Sequence, residues 1–254
     1  MFEQAILSFF LILFISGFIG FSMSLFFYKT NILKRILIAP VIGYSIISLT
    51  TAYLSYAGFG TNQMALVLFL TLIVISLIAL IFKRKNIGEI DRKALKFFIP
   101  VLIFAFINAL IILAPMILEN AAYLFNDHAT YIAVSEFLRD FGYFHPAQRE
   151  LEFWQDNTWQ YQAMHLRMGA QFFVSFFAAL FGTVHTIIIY PSILGMIAFV
   201  LMLSIAFFYL NIRKENANML EMSFVLFFSL IPINLNSQNI ALGFLPQTIG
   251  IILM

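Results

Sequence analysis

The 254-residue sequence contains no cysteine, which excludes disulfides, thiolate metal ligands and cysteine nucleophiles together. Charge is almost as scarce. Asp, Glu, Lys and Arg make up 10% of the chain, against about a quarter in a soluble domain, so a water-facing surface cannot be built from it. With 62% hydrophobic residues, the class that remains is an integral membrane protein. The net charge is only +2, and the basic residues sit in three short stretches between apolar runs. That distribution is not the footprint of a nucleic-acid partner. The first apolar run also lacks a basic start and a small-residue cleavage site. It is longer than a signal-peptide core, so it reads as a retained span.

A crossing helix takes roughly 20 mostly apolar residues. The runs 5–27, 36–57, 63–82, 97–117 and 186–210 qualify, and 219–234 is a shorter sixth. A last run opens near Ile240 and is still apolar at Met254, so the chain reads as the front part of a longer protein. The expected fold class is all-α: a polytopic transmembrane helical bundle with one long extracytoplasmic loop containing short juxtamembrane helices.

Basic residues orient the spans. Lys29, Lys34 and Arg35 follow the first span, and Lys83, Arg84, Lys85, Arg92, Lys93 and Lys96 follow the third. Both stretches are expected to be cytoplasmic, which leaves the N-terminus, with Glu3 and no Lys or Arg, outside. Alternation then puts 118–167 outside, where seven acids face only Arg139, Arg149 and Arg167. The apolar stretch 168–181 is too short for a full crossing. Counting it as one would also put Arg213 and Lys214 outside. It is therefore read as an interfacial or re-entrant helix on the outer side, and the expected location is the plasma membrane.

All four histidines (His128, His145, His165, His185) and both tryptophans (Trp154, Trp159) fall within 127–185. The other outer connections, 56–62 and 234–239, are brief, and a loop of this length is commonly functional. Tyr131, Val134, Leu138 and Phe141 recur at helical spacing, with Glu136, Arg139 and Asp140 on the other side. The pattern predicts an amphipathic helix over 128–141, suited to the membrane surface and stopped by Gly142. Trp154, Trp159, Tyr143 and Tyr161 are residue types of the interfacial belt.

Asp127 stands just before that helix. It reads either as an N-cap, a job Asn126 could also do, or as a general base tuned by partial burial and by His128. Glu119, at the end of the fourth span, reads as a border residue. His165 and Arg167 precede the short apolar helix, where a cation suits the phosphate of a membrane lipid or of a lipid-linked substrate. Asp127, His128 and His165 are also candidates for a divalent metal, without the tight ligand spacing that would define a site. His145, followed by Pro146, reads as a loop residue.

The run Asn126-Asp127-His128-Ala129-Thr130-Tyr131 after a span, with a short helix ending Arg139-Asp140-Phe141-Gly142-Tyr143, resembles the first outer loop of fold-class C (GT-C) glycosyltransferases. These are polytopic enzymes that include protein O-mannosyltransferases and lipid A aminoarabinose transferases. His165-Leu166-Arg167-Met168-Gly169, followed by 172–182, resembles the stretch that ends their loop. The likeness covers 97–254 and divides the chain into three N-terminal spans (1–96) and a GT-C-like core. That core comprises span 97–117, outer loop 118–185, and spans 186–210, 219–234 and 240–254. Departures are His128 in place of a second acid, Met168 in place of a proline, and the three extra spans.

The resemblance implies sugar transfer from a polyprenyl-phosphate-linked donor to an acceptor hydroxyl or amine on the extracytoplasmic side. Asp127 would be the catalytic base, and His128, Tyr131, His165 and Arg167 would bind substrate, Arg167 and His165 at the leaving phosphate. Membrane lipid and the lipid-linked donor are the expected partners. Two other readings stay open: a transporter or flippase, which would place polar residues or broken helices at the midplane, and a non-catalytic scaffold or sensor, for which Asp127 would be dispensable.

Overall fold

The computed structural model describes residues 2–27, 31–87, 92–119, 126–147, 153–164, 168–183, 185–213 and 216–241. At 2–3, 27, 92–94, 115–119, 126–127, 153–154 and 231–241 it describes backbone alone. The described residues form helices α1 (Phe2–Phe27), α2 (Ile32–Tyr56), α3 (Thr61–Phe82), α4 (Arg92–Glu119), α5 (Asn126–Asp140), α6 (Phe153–Ala163), α7 (Gly169–Leu180), α8 (Tyr190–Arg213) and α9 (Met219–Ala241). Five of them, α1, α2, α3, α4 and α8, are long and apolar enough to cross a membrane. Among the described residues the fold is all-helical, and these five apolar helices mark an integral membrane protein.

Local chemistry sets the helix ends. The Asn31 side chain accepts the Lys34 amide at 2.9 Å and caps α2. The α2–α3 turn needs Gly58, whose φ of +100° few side chains tolerate. α7 stops at Gly182, φ +60°, with the Thr183 amide returning to the Ala178 carbonyl.

α8 is the axis of the bundle, buried along most of its length between α1, α2, α4 and α9. α3 is peripheral and exposes Leu66, Val67, Leu70, Val74, Ile78 and Ile81. An apolar face of that extent is stable only against lipid or protein. α1 and α2 cross with backbones touching: a Cβ on Gly20 would overlap the Ala39 carbonyl oxygen, and one on Gly43 the Ser16 carbonyl oxygen. Ser16/Gly20 and Ala39/Gly43 are thus facing pairs of the small-xxx-small kind.

Hydrogen bonds sort the helix ends into two groups. At one end Lys34 donates to Asn211 of α8 (2.9 Å), and Arg35, fully buried, donates to the Ser24 carbonyl (2.6 Å) and the Asn86 carbonyl (2.9 Å). Arg213 and Glu221 pair there across the α8–α9 connection. At the other end Ser192 of α8 donates to the Ala5 carbonyl (2.7 Å), and the Tyr143 amide donates to the Ser55 carbonyl (3.0 Å). α4 runs antiparallel to α8, with Asn108 donating to the Ala198 carbonyl (2.6 Å) and Leu113 against Gly195. The five long helices therefore alternate in direction, and α8 starts at the end where α4 finishes. The segment α5–α7 between them makes no net passage along the bundle.

α7 has 12 residues, about 18 Å of helix, short of the roughly 30 Å apolar thickness of a bilayer. It is buried from Ala170 to Ala178 against α2, α3 and α5. Along this stretch α7 is a short apolar helix enclosed by protein. One expectation is corrected. The brief connection at 234–239 is part of α9, which continues to Ala241; between Asn234 and Ala241 there is no glycine or proline to stop it. The expected span 240–254 lies outside the described residues from 242 onward.

Candidate functional site

α5 begins at Asn126 rather than His128, which brings Asp127 inside the first turn instead of ahead of it. Asp127 thereby joins the register of Tyr131, Val134 and Leu138, the i, i+4, i+7, i+11 stripe of the helix. That stripe is covered by protein: Tyr131 lies in the main core, and Val134 and Leu138 pack with Phe137, Ala147, Met168 and Phe172. The membrane-surface face expected for this helix is occupied by α6 and α7. The Asp127 side chain, the Glu119 and Trp154 side chains, and all of His165 and Arg167 lie outside the described residues. Met168, next to Arg167, is within them and belongs to the cluster under Val134 and Leu138.

His128 is fully buried, its Nδ1 2.9 Å from the Tyr190 hydroxyl and its ring edge-on to Tyr190 at 5.4 Å. The pair ties the first turn of α5 to the first turn of α8. Tyr131 is likewise directed into the core. Both residues, expected as substrate contacts, are buried within the protein. On the α6 side, Thr130 donates to Asn157 Oδ1 (3.1 Å). Trp159 and Tyr161, expected at the interfacial belt, are half-buried against the α5–α7 cores.

Glu136 and Arg139 correct a second expectation. They do not form an open polar face. Arg139 is buried, donates to Glu136 Oε1 (3.1 Å) and reaches the Thr183 carbonyl (2.8 Å). Glu136 also accepts the Thr186 amide (2.9 Å) and hydroxyl, with exposed His185 at 3.7 Å. This network ties Thr183 and Thr186 to α5 just ahead of α8. Its i, i+3 acid–base spacing was visible in the sequence; its inward direction was not.

The C-terminal end of α5 is pressed onto the α2–α3 turn. A Cβ on Gly142 would lie 2.5 Å from the Gly58 carbonyl carbon, and one on Gly60 2.6 Å from that of Asp140. Asn62 donates to Asp140 Oδ1 (2.7 Å). Gln162 of α6 clamps the following loop, donating to the Tyr143 and His145 carbonyls (both 2.8 Å) and accepting the Ala147 amide (3.2 Å). His145 stacks on Phe141 at 4.4 Å.

Among the described residues no group of three or more His, Asp or Glu could hold a metal ion. A crevice of about 540 Å³ runs between α1, α2, α4 and α8, walled by Phe14, Phe18, Phe98, Phe106 and Leu203 among others. None of its walls belongs to α5–α7, so it is separate from the loop residues. Comparison with protein-family models, curated proteins and solved structures finds no match for this chain.

Proposed function

We propose that the chain is a membrane glycosyltransferase of the GT-C kind, with α5–α7 on the extracytoplasmic side of the plasma membrane. The observation that carries the reading is the register of Asp127. By backbone register this acid heads the row of Tyr131, Val134 and Leu138, and positions beside a packed helix row are where catalytic carboxylates are tuned. The helix order supports it as well: a span, a helix headed by the acid, and a short enclosed helix preceded by Arg167, then a span starting where the first one ended. Lys34, Arg35, Lys83, Arg84, Lys85 and Arg213 all belong to the opposite end, which speaks for that end being cytoplasmic.

In this mechanism Asp127 takes the proton of the acceptor hydroxyl or amine as it attacks the anomeric carbon. Arg167, with His165, steadies the leaving polyprenyl phosphate, where negative charge develops. His128 and Tyr131 act by position, holding the first turn of α5 on Tyr190 and the core. The test uses full-length protein with a short-chain prenyl-phosphate hexose. Asp127→Asn is expected to bind this donor but to lose transfer by about a hundredfold or more. Arg167→Ala should weaken binding as well as rate, because phosphate is held in both ground and transition states. Undiminished transfer by Asp127→Asn would refute the assignment and favour a scaffold or transporter.

A further inference from the structure

At the end of the bundle that carries α5–α7, four large rings stand open to the surroundings: Tyr53 (74% exposed), Tyr56, Phe59 and Phe144 (70% exposed). They come from two distant segments, the end of α2 with its turn and the loop after α5. Tyr56 meets Tyr143 edge-on at 4.7 Å and Phe144 at 5.6 Å, and Tyr143 meets Phe144 at 4.9 Å. The loop is not loosely placed. Gln162 clamps it from α6, and the Tyr143 amide is bonded to both Ser55 oxygens at 3.0 Å. Rings held rigidly outward in this way would expose apolar area to water without return.

We infer that Tyr53, Tyr56, Phe59 and Phe144 form an anchor that sits in the headgroup layer of the bilayer. Two observations select lipid as the partner. The patch is continuous with the exposed apolar face of the adjoining span, including Leu49 on α2 and Leu66, Val67 and Leu70 on α3. It also lies at the termini of those spans, where amphipathic rings are favoured because one edge is apolar and the other wet. The anchor defines the membrane plane and with it the depth of α7. Phe173 of α7 packs on Tyr44 at 4.6 Å, roughly 18 Å down the α2 axis from Tyr56. α7 thus reaches hydrocarbon depth, where a helix that does not span is tolerated when protein, not lipid, surrounds it. This inference does not depend on the transferase reading.

The test places a single tryptophan in the patch. In a Trp154→Phe/Trp159→Phe background, Phe144→Trp and, separately, Tyr53→Trp are reconstituted in phosphatidylcholine vesicles. Lipids brominated near the carboxyl end of the acyl chain should quench both fluorophores more than lipids brominated near the methyl end, and aqueous iodide should quench either only weakly. Iodide quenching with no response to brominated lipid would show a water-facing patch and overturn the inference. Insensitivity to both quenchers would also overturn it, since a second copy or another segment would then cover the rings. Two positions are used so that a folding failure at one leaves the other decisive.

Discussion

Replacing Gly142 by alanine tests how tightly the loop is bound to the N-terminal spans. The added methyl would lie 2.5 Å from a backbone carbon of Gly58, whereas ordinary contact begins near 3.4 Å. The obstruction is main chain, so no rotamer change relieves it, and the segments must separate by close to 1 Å. Overpacking of this kind costs about 1–3 kcal/mol. Separation also lengthens the Tyr143-to-Ser55 and Asn62-to-Asp140 hydrogen bonds, each worth about 0.5–1.5 kcal/mol. A loss of roughly 2–4 kcal/mol is expected. Two further glycines isolate the cause. Gly58→Ala meets nothing within 4 Å but must hold φ at +100°, a strain of about 1–2 kcal/mol. Gly169→Ala meets neither obstacle and should be neutral or stabilising by up to about 1 kcal/mol. Unfolding of the full chain in bicelles, followed by circular dichroism, gives the order Gly142 > Gly58 > Gly169. Gly142→Ala as benign as Gly169→Ala would refute the claim that the loop is seated on this turn.

Two other outcomes follow from the packing. Gly43→Leu or Gly20→Leu should push α1 and α2 apart and destabilise by about 3 kcal/mol or more, read by the same unfolding assay, while Gly17, whose Cβ would meet only Pro40 at 4.0 Å, should tolerate alanine. Because the chain has no cysteine, Gln160→Cys on α6 should be labelled by an impermeant thiol reagent added outside the cell and Lys85→Cys should not; the reverse pattern would invert the orientation.

Much of the bundle was legible because a span is a one-dimensional property: its length and its lack of charge are written along the chain. The short apolar run 168–181 was enough to anticipate α7, an apolar helix shorter than a span. What was not legible depends on which faces meet. Ser16, Gly20, Ala39 and Gly43 carry no signal until two helices are set antiparallel at the right height. Glu136 and Arg139 read as a polar outer face because alternation with apolar residues shows sidedness but not what lies on either side. In a membrane protein the apolar side can be turned to lipid and the charged side inward, and here α6, α7, Thr183 and Thr186 enclose both.

The start of α5 illustrates the same limit with a functional consequence. Read as beginning at His128, the helix leaves Asp127 in a cap position, where its carboxylate has a sufficient structural reason to exist. Begun at Asn126, it places Asp127 within the first turn, in register with Tyr131 and Val134. Only two residues separate these alternatives, within the usual uncertainty of a helix boundary read from sequence. His128 adds the decisive weight: tied to Tyr190 at 2.9 Å, it fixes the rotation of the first turn about the helix axis. By backbone register Asp127 falls in the row of Tyr131 and Val134. The His128 and Tyr190 pair seats the first turn of α5 on α8, and the proposed role of Asp127 rests on the register of that turn.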